Sequence, residues 1–326
     1  MLWLRSPRVL GPALAGASLL AALLAYAGIG PVLRRVAQFQ PSALLLLGAL
    51  MLGYEAVRAA QWALLLRGLD PPPPWQTAAM AYLGGELVKG LPGGQYAQPL
   101  LLRRALGTPL AASIGAMWLL LWLEAAVCLL ALGLLGALPW PWLRPLAWGL
   151  LAGSGAVGWA IRQRHGHRRT APPAFPLRRR AALGQWGAQV RTVAGALLRP
   201  RHLGPAAVCA TTYVTLAGLV LWAIAQALGL AGLSPVQGIA IYAFALAANL
   251  IIVVPFDVGL IETAGTAALM ACGVPRAAAV AVMLLHRVVC GVLTAGLTLI
   301  GLAVLRRQVC AAWHGHARGE PDADPP

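Results

Sequence analysis

Long apolar runs separated by short polar segments dominate the chain. An α-helix needs about 20 predominantly apolar residues to cross the hydrocarbon core of a bilayer. Runs of that length occur at residues 9–29, 43–66, 110–136, 143–161, 203–230 and 277–305. The pattern therefore predicts an all-α polytopic membrane protein with six spanning helices.

Two further apolar regions, residues 76–106 and 236–272, are interrupted near their middle. Pro and Gly at this depth free backbone groups that lipid cannot satisfy, so such breaks occur where the backbone is buried in protein or lines a polar cavity. We therefore predict that both regions are re-entrant hairpins, which enter and leave the membrane on the same side. The predicted breaks are Pro92, Gly93 and Gly94 in the first region and Pro255 and Gly259 in the second.

The composition supports this interpretation. Hydrophobic residues make up 60% of the 326 residues and charged residues only 10%, against about 25% charged residues in ordinary soluble domains. This excludes a soluble enzyme, a disordered chain and a disulfide-rich secreted domain. The net charge of +16 does not predict a nucleic-acid partner, because most of the arginines lie between apolar runs, where they set topology.

The arginines also predict the orientation, with the N and C termini in the cytoplasm. Cytoplasmic segments of membrane proteins carry an excess of Lys and Arg. If both broken regions are hairpins, most of the arginines lie on the cytoplasmic side of the membrane. If each region were a single crossing, the arginines would be divided between the two sides. The inside group is Arg67, Arg103, Arg104, the arginines of residues 162–201, Arg306 and Arg307. The outside group is Arg34, Arg35, Arg144 and Arg276.

The predicted organisation is one integral membrane domain, residues 1–313, followed by a disordered tail at 314–326. Residues 162–202 form a basic cytoplasmic connector that contacts anionic lipid. No metal site is predicted, because His165 and His167 lack a second ligand pair. No cofactor is predicted either.

An internal repeat relates the two halves of the chain. Residues 107–117 and 273–283 are identical at five of eleven positions, and each segment follows a broken hairpin and begins a long span. In the topology above, the first copy starts inside and the second starts outside. The repeat units, about 41–136 and 203–305, are therefore inverted, an architecture typical of carriers.

The motifs around the two breaks resemble those of a known family, the flippase-like membrane proteins that include the transmembrane region of lysylphosphatidylglycerol synthase and its stand-alone relatives. The resemblance covers about residues 8–307. In the second half it rests on Pro255, Gly259, Glu262, Gly273, Val274, Pro275, His286 and Arg287. In the first half it rests on Leu91, Pro92, Gly93, Gly94, Arg103, Arg104, Gly107 and Glu124.

The chain departs from the family pattern at both hairpins. Phe256 and Asp257 replace a Gly-Gly pair, and Ala97 and Gln98 stand where many relatives carry Gly and an acid. About 20 polar residues follow the last span, too few for the soluble aminoacyl-transfer domain of the full synthase. The resemblance therefore implies lipid translocation or a related membrane step rather than lysine transfer.

Five of the nine acidic residues lie at membrane depth. A charge at the bilayer centre costs at least about 2.5–3.5 kcal/mol on insertion scales, so such residues normally face a polar interior and mark a path. The spacing of Glu55 and Arg58 puts them on one helical face, where they form a structural ion pair or line a polar cavity. The inverted repeat places Glu124 and Arg287 on opposite sides of one cavity. They form either a static buried pair or a salt bridge that breaks and re-forms as the cavity opens and closes. The five acids are Glu55, Glu86, Glu124, Asp257 and Glu262.

Two groups of residues are predicted to handle a lipid headgroup. Guanidinium groups bind phosphate through a planar fork, so Lys89, Arg103, Arg104 and Arg287 are the candidate phosphate ligands, although Arg103 and Arg104 also fit an ordinary cytoplasmic flank. Carboxylates can take a proton or bind an amine. Glu86, Asp257 and Glu262 are the candidates for that role.

The predicted function is a flippase-like transporter of the bacterial inner membrane. It moves a phospholipid or a polyisoprenyl-linked lipid between leaflets, and proton coupling stays open. The alternatives are a membrane-embedded lipid-modifying transferase, with acids as general bases, and a non-catalytic accessory subunit of an envelope-lipid pathway. The predicted partners are membrane lipids, either anionic phospholipid or polyisoprenyl phosphate, and homo-oligomer formation stays open.

Overall fold

The computed structural model describes residues 7–69, 71–88, 96–108, 110–166, 200–252 and 259–317. These residues form eleven α-helices and contain no strand. The helices are α1 (Pro7–Ala27), α2 (Ile29–Val36), α3 (Ala43–Leu66), α4 (Trp75–Val88), α5 (Ala97–Leu106), α6 (Leu110–Leu135), α7 (Leu143–Gly166), α8 (Pro200–Ala227), α9 (Pro235–Ile252), α10 (Leu260–Ala271) and α11 (Arg276–Ala317).

Four helices among these residues are long and apolar enough to cross a membrane, namely α3, α6, α8 from His202 onward and α11 as far as Val304. A fifth crossing is formed by α1 and α2 if this pair, bent by 88°, is one span. The protein is therefore a multi-pass membrane protein, and the apolar runs predicted at 43–66, 110–136, 203–230 and 277–305 are confirmed as apolar helices of spanning length.

The predicted first span, residues 9–29, contains a turn that the apolar pattern does not reveal. Helix α1 ends at Ala27, and α2 begins immediately after Gly28. Gly28 has φ +78°, a conformation that glycine adopts readily because it lacks a Cβ atom. The predicted span at 143–161 lies within α7, which extends to Gly166.

Helices α3 and α8 pack along each other. They are antiparallel, since the backbone N–H of Gln40, just before α3, donates to the carbonyl of Ala227 at the end of α8 at 3.1 Å. The short helices pack in two pairs, α4 with α5 and α9 with α10. The long helices contact the pair from the other half of the chain, α6 packing on α9 and α11 on α4.

A buried apolar cluster identifies one end of the bundle. It joins the end of α3, the end of α5 and the starts of α6 and α8, so these four helix ends lie together. Its members include Leu65, Leu66, Leu102, Ala112, Ala206 and Ala210.

Several predictions concern residues that are outside the described part of the chain. They are Lys89, the break residues Pro92, Gly93, Gly94 and Pro255, Asp257, and residues 167–199 of the basic connector. Of the predicted tail, residues 314–317 belong to α11, and the rest is also outside the described residues.

Candidate functional site

Glu262 and Arg287 form an ion pair between α10 and α11. The Nη1 atom of Arg287 lies 2.6 Å from Oε1 of Glu262. The Glu262 side chain is 2% exposed and that of Arg287 is 35% exposed. The acid is thus enclosed, whereas its cationic partner also reaches the protein surface.

The start of α10 positions the Glu262 carboxylate. Gly259 precedes the helix with φ +92°, and its backbone N–H donates to Oε2 of Glu262 at 2.7 Å. This is the return bond of a capping box, in which the third helical residue satisfies the N-cap amide. Negative charge is also favoured at a helix N-terminus. Both carboxylate oxygens therefore have partners, one on the backbone and one on Arg287.

A second ion pair connects α3 and α6 deeper in the bundle. Arg58 Nη1 lies 3.1 Å from Glu124 Oε1, and the two side chains are only 7% and 1% exposed. The Arg58 guanidinium also lies over the ring of Tyr213 on α8, at 4.3 Å from the ring centroid. A cation over an aromatic face is attracted by the negative potential of the ring, so three helices meet at this arginine.

Glu55 joins three helices by hydrogen bonds. Its Oε2 accepts from the Tyr82 hydroxyl of α4 at 2.9 Å, and its Oε1 accepts from the Thr294 hydroxyl of α11 at 2.5 Å. Thr294 is 239 positions away in the sequence. A carboxylate buried in an apolar bundle needs such donors, since an unpaired buried charge is costly.

Aromatic hydroxyls extend this polar interior. The hydroxyls of Tyr213 and Tyr242 lie 3.0 Å apart. The ring of Tyr242 lies 5.7 Å from that of His286, measured between centroids. Nε2 of His286 lies 3.6 Å from Cys290 Sγ. Polar side chains of α8, α9 and α11 thus line one connected region beside the Arg58 pair.

Glu86 lies between the two short helices of the first half. Its Oε1 accepts a hydrogen bond from Nε2 of Gln98 at 3.1 Å. The helices approach closely here because Gly85 has no side chain, and a Cβ atom at that position would lie 2.1 Å from Cγ of Gln98. The structure therefore brings Glu86 and Gln98 together across α4 and α5.

Arg103 and Arg104 are not part of the buried polar region. They are exposed in the last turn of α5, which ends at Gly107 with φ +66°. Arg67, also exposed, follows α3, at the same end of the bundle. Cations at helix C-termini are favoured by the helix dipole.

The ion pairs differ from the two predicted pairs. The structure joins Arg58 to Glu124 and Arg287 to Glu262, instead of joining Glu55 to Arg58 and Glu124 to Arg287. The i, i+3 spacing correctly places two side chains on one face of a helix, but the partner is decided by the neighbouring helix. Glu55 uses the donors of α4 and α11 instead.

Sequence reasoning missed the uncharged members of the site. Tyr82, Tyr213, Tyr242 and Thr294 connect the charged residues, yet none belongs to a motif. One available signal was that these tyrosines occur inside apolar helices, whereas tyrosine usually concentrates at the membrane interface.

The arrangement is a set of charged and hydroxyl groups enclosed by apolar helices. It can bind or release protons and can exchange ion-pair partners when helices move. Among the described residues, no group of three or more His, Cys, Asp or Glu side chains is placed to ligate a metal ion.

Comparison with protein families gives a match that covers most of the chain. The family described as the lysylphosphatidylglycerol synthase TM region matches residues 8–301. Comparison with curated proteins gives no match.

Proposed function

The chain belongs to the family of the lysylphosphatidylglycerol synthase transmembrane region, and we propose that it is a flippase-like lipid transporter. The family and the apolar helices make it a multi-pass membrane protein of lipid metabolism or transport. The transported molecule is a phospholipid or a polyisoprenyl-linked lipid, and it moves between the leaflets of the bacterial inner membrane.

The buried charges are the observation that carries this proposal. Arg58, Glu124, Glu55 and Glu262 are all buried in helices that are otherwise apolar. Ionisable residues within membrane spans are rare and usually mark substrate or ion pathways. A purely structural bundle needs none of them, because apolar side chains of similar volume pack at least as stably as a buried ion pair.

The packing of the two halves supports an inverted repeat. One unit is α3 to α6, and the other is α8 to α11. The packing of α6 on α9 has its counterpart in the packing of α11 on α4, and α3 packs on its own counterpart α8. An exchange related by a pseudo-twofold axis produces this reciprocity, and carriers rock one such repeat against the other.

The lengths of α4 and α5 support a re-entrant hairpin in the first half of the chain. At 1.5 Å per residue, α4 with 14 residues and α5 with 10 residues extend about 21 and 15 Å. Neither reaches the thickness of about 30 Å of the hydrocarbon core. Their close pairing fits two arms that enter and leave on one side.

The exposed arginines support an orientation in which the end of the bundle with Arg67, Arg103 and Arg104 faces the cytoplasm. In this orientation Arg103 and Arg104 lie on the side of the inner-leaflet phosphate groups, which are their proposed ligands. Lys89, Asp257 and Glu86, close to the two proposed breaks, are the remaining proposed headgroup contacts.

Arg287 is the central proposed headgroup ligand. Its side chain is 35% exposed beside the buried Glu262, and a guanidinium binds phosphate through a planar fork of N–H donors. A lipid phosphate that binds Arg287 would compete with Glu262, and the released carboxylate can then take up a proton. Headgroup binding and protonation are linked in this mechanism.

The test is lipid transport in proteoliposomes, with fluorescent phosphatidylglycerol and a fluorescent polyisoprenyl phosphate as probes. We expect dithionite to bleach probe delivered from the inner leaflet only when active protein is present. Replacing Arg287 by Gln should lower the rate by about tenfold or more, the effect of roughly 1.4 kcal/mol on a barrier. Arg35→Gln is the matched control, since this arginine hydrogen-bonds Gln38 near the end of α2 and takes part in none of the contacts described for the site.

The outcomes separate the candidate functions. Transport that is equally fast in Arg287→Gln and in the control would contradict the proposed role of this arginine. Conversion of a lipid in detergent, seen as a change in mass, would favour the transferase. Folded protein that does neither would favour the accessory subunit. Repeating the assay with a pH gradient tests proton coupling.

A further inference from the structure

A groove between α1 and α10 lies next to the Glu262 helix turn and has a volume of about 470 Å³. This is within the range of about 300–1,000 Å³ typical of ligand pockets. We call it the α1/α10 groove. It is lined by Leu19, Ala22, Leu23 and Tyr26 from α1 and by Thr263, Thr266, Ala267 and Met270 from α10.

The lining is almost entirely apolar. Its polar members are the Tyr26 hydroxyl and the two threonines. Thr263 is satisfied within α10, because its hydroxyl donates to the carbonyl of Gly259 at 2.6 Å. The groove therefore matches a hydrocarbon chain better than a polar solute.

Thr266 supplies a second observation that points to a ligand. Its side chain lines the groove, the residue is 2% exposed, and its hydroxyl has no hydrogen-bond partner among the described residues. Buried hydroxyls are normally paired. An acceptor within the groove would satisfy this donor.

One end of the groove carries a positive charge. Arg276, the exposed first residue of α11, lies over the ring of Tyr26, with 4.5 Å between the guanidinium carbon and the ring centroid. A guanidinium has five N–H donors, and a contact with an aromatic ring, which attracts the cation by its negative potential, leaves donors that can bind an anion. An apolar groove that ends at an arginine is complementary to an anionic lipid.

We propose that the α1/α10 groove binds an anionic diacyl glycerophospholipid. Its phosphate binds Arg276, an acyl chain lies between α1 and α10, and an ester carbonyl accepts the hydrogen bond of Thr266. Thr266 is ten positions before Arg276 and one helical turn before Met270, at a depth that suits the glycerol esters below the phosphate. The ester carbonyl distinguishes this ligand from a polyisoprenyl phosphate, which has none.

The groove also connects the lipid to the transport site. Thr266 is one turn after Glu262 on α10, so a bound lipid lies beside the helix that positions the Arg287 ion pair. This inference rests on the proposed function only in taking the protein to bind lipid. Binding can therefore be measured apart from transport.

The experiment is native mass spectrometry of the purified full chain with dioleoyl phosphatidylglycerol, its diether analogue and undecaprenyl phosphate as probes. We expect saturable binding of one phosphatidylglycerol. Ala267→Phe fills the groove and should abolish this binding, as should Ala22→Trp from the opposite wall. Both alanines are exposed, so the larger side chains are accommodated without disturbing the bundle. Arg276→Gln should weaken binding severalfold, and Arg35→Gln should not.

Thr266→Val tests the hydrogen bond. The loss of one such bond should weaken binding of the diester about threefold to tenfold, whereas the diether analogue should bind the valine variant and the unmodified protein equally. Unchanged phosphatidylglycerol binding in both groove-filling variants would overturn the proposal, as would tighter binding of undecaprenyl phosphate. Groove-dependent binding without transport would contradict the proposed function alone. Transport together with lipid binding that the groove-filling substitutions leave unchanged would contradict this site alone.

Discussion

Glu262 accepts a hydrogen bond from the Gly259 backbone on one carboxylate oxygen and contacts Arg287 with the other. One side chain thus fixes the start of α10 and holds a partly exposed cation. The two roles depend on different properties of the carboxylate, namely its acceptor oxygen and its charge.

Substitutions at Glu262 should separate these roles. In Glu262→Gln the amide oxygen still accepts from Gly259, but the charge that holds Arg287 is lost, so transport should fall while α10 remains capped. In Glu262→Ala the cap is lost as well, and this variant should be less stable than the glutamine variant by about 1 kcal/mol. Thermal unfolding in detergent, paired with the transport assay, measures both effects. Equal stability of the two variants would contradict the capping role.

The Arg58–Glu124 pair should show strong coupling. Removing one partner leaves an uncompensated buried charge, so Arg58→Met and Glu124→Leu should each destabilise the protein by about 3–5 kcal/mol. The double variant should be far more stable than the sum of the two effects predicts, yet inactive in transport. A double-mutant cycle on the free energy of unfolding measures the coupling. Additive effects would show that the pair contributes little.

Each of the two hydroxyl donors to Glu55 should contribute separately to the free energy of unfolding. Tyr82→Phe and Thr294→Val each remove one donor from a buried carboxylate, at a cost of about 1–3 kcal/mol. Thr212→Val is the matched control, since its hydroxyl donates to Val208 of its own helix at an exposed position and surface changes are usually within about 0.5 kcal/mol. Denaturant titration compares the three variants. A loss in the control as large as in Tyr82→Phe would refute the network.

Helices α8 and α9 should be sensitive to a single added methyl group. A Cβ atom at Gly218 would lie 2.4 Å from the backbone Cα of Ile239, so Gly218→Ala should force the helices apart and cost about 1–3 kcal/mol. Gly204 is in the same helix with no atom within 4 Å of its Cβ position, and Gly204→Ala should be neutral or slightly stabilising. Thermal unfolding of both variants checks the contrast. Equal shifts of the unfolding temperature in the two variants would mean that the close approach of α8 and α9 is not needed for stability.

The sequence by itself determined the class of the protein. A chain with apolar runs of about 20 residues can satisfy its backbone in lipid only as helices, so the four long apolar helices α3, α6, α8 and α11 could be predicted from residue type alone. The same logic identified Glu55, Arg58, Glu124, Glu262 and Arg287, because charges in apolar runs are costly. The motif around Gly259 and Glu262 led to the family that the comparison confirms.

Only the tertiary structure decided which of these residues meet. Spacing along one helix gives a shared face, but it does not say which neighbour that face contacts, and so both predicted ion pairs had the wrong partner. The bond from Thr294 to Glu55 spans 239 positions, and no periodicity encodes it. The bend at Gly28 and the α1/α10 groove likewise depend on how helices pack. Helix formation depends on local residue types, whereas ion-pair partners are selected when the whole bundle satisfies its buried polar groups at once.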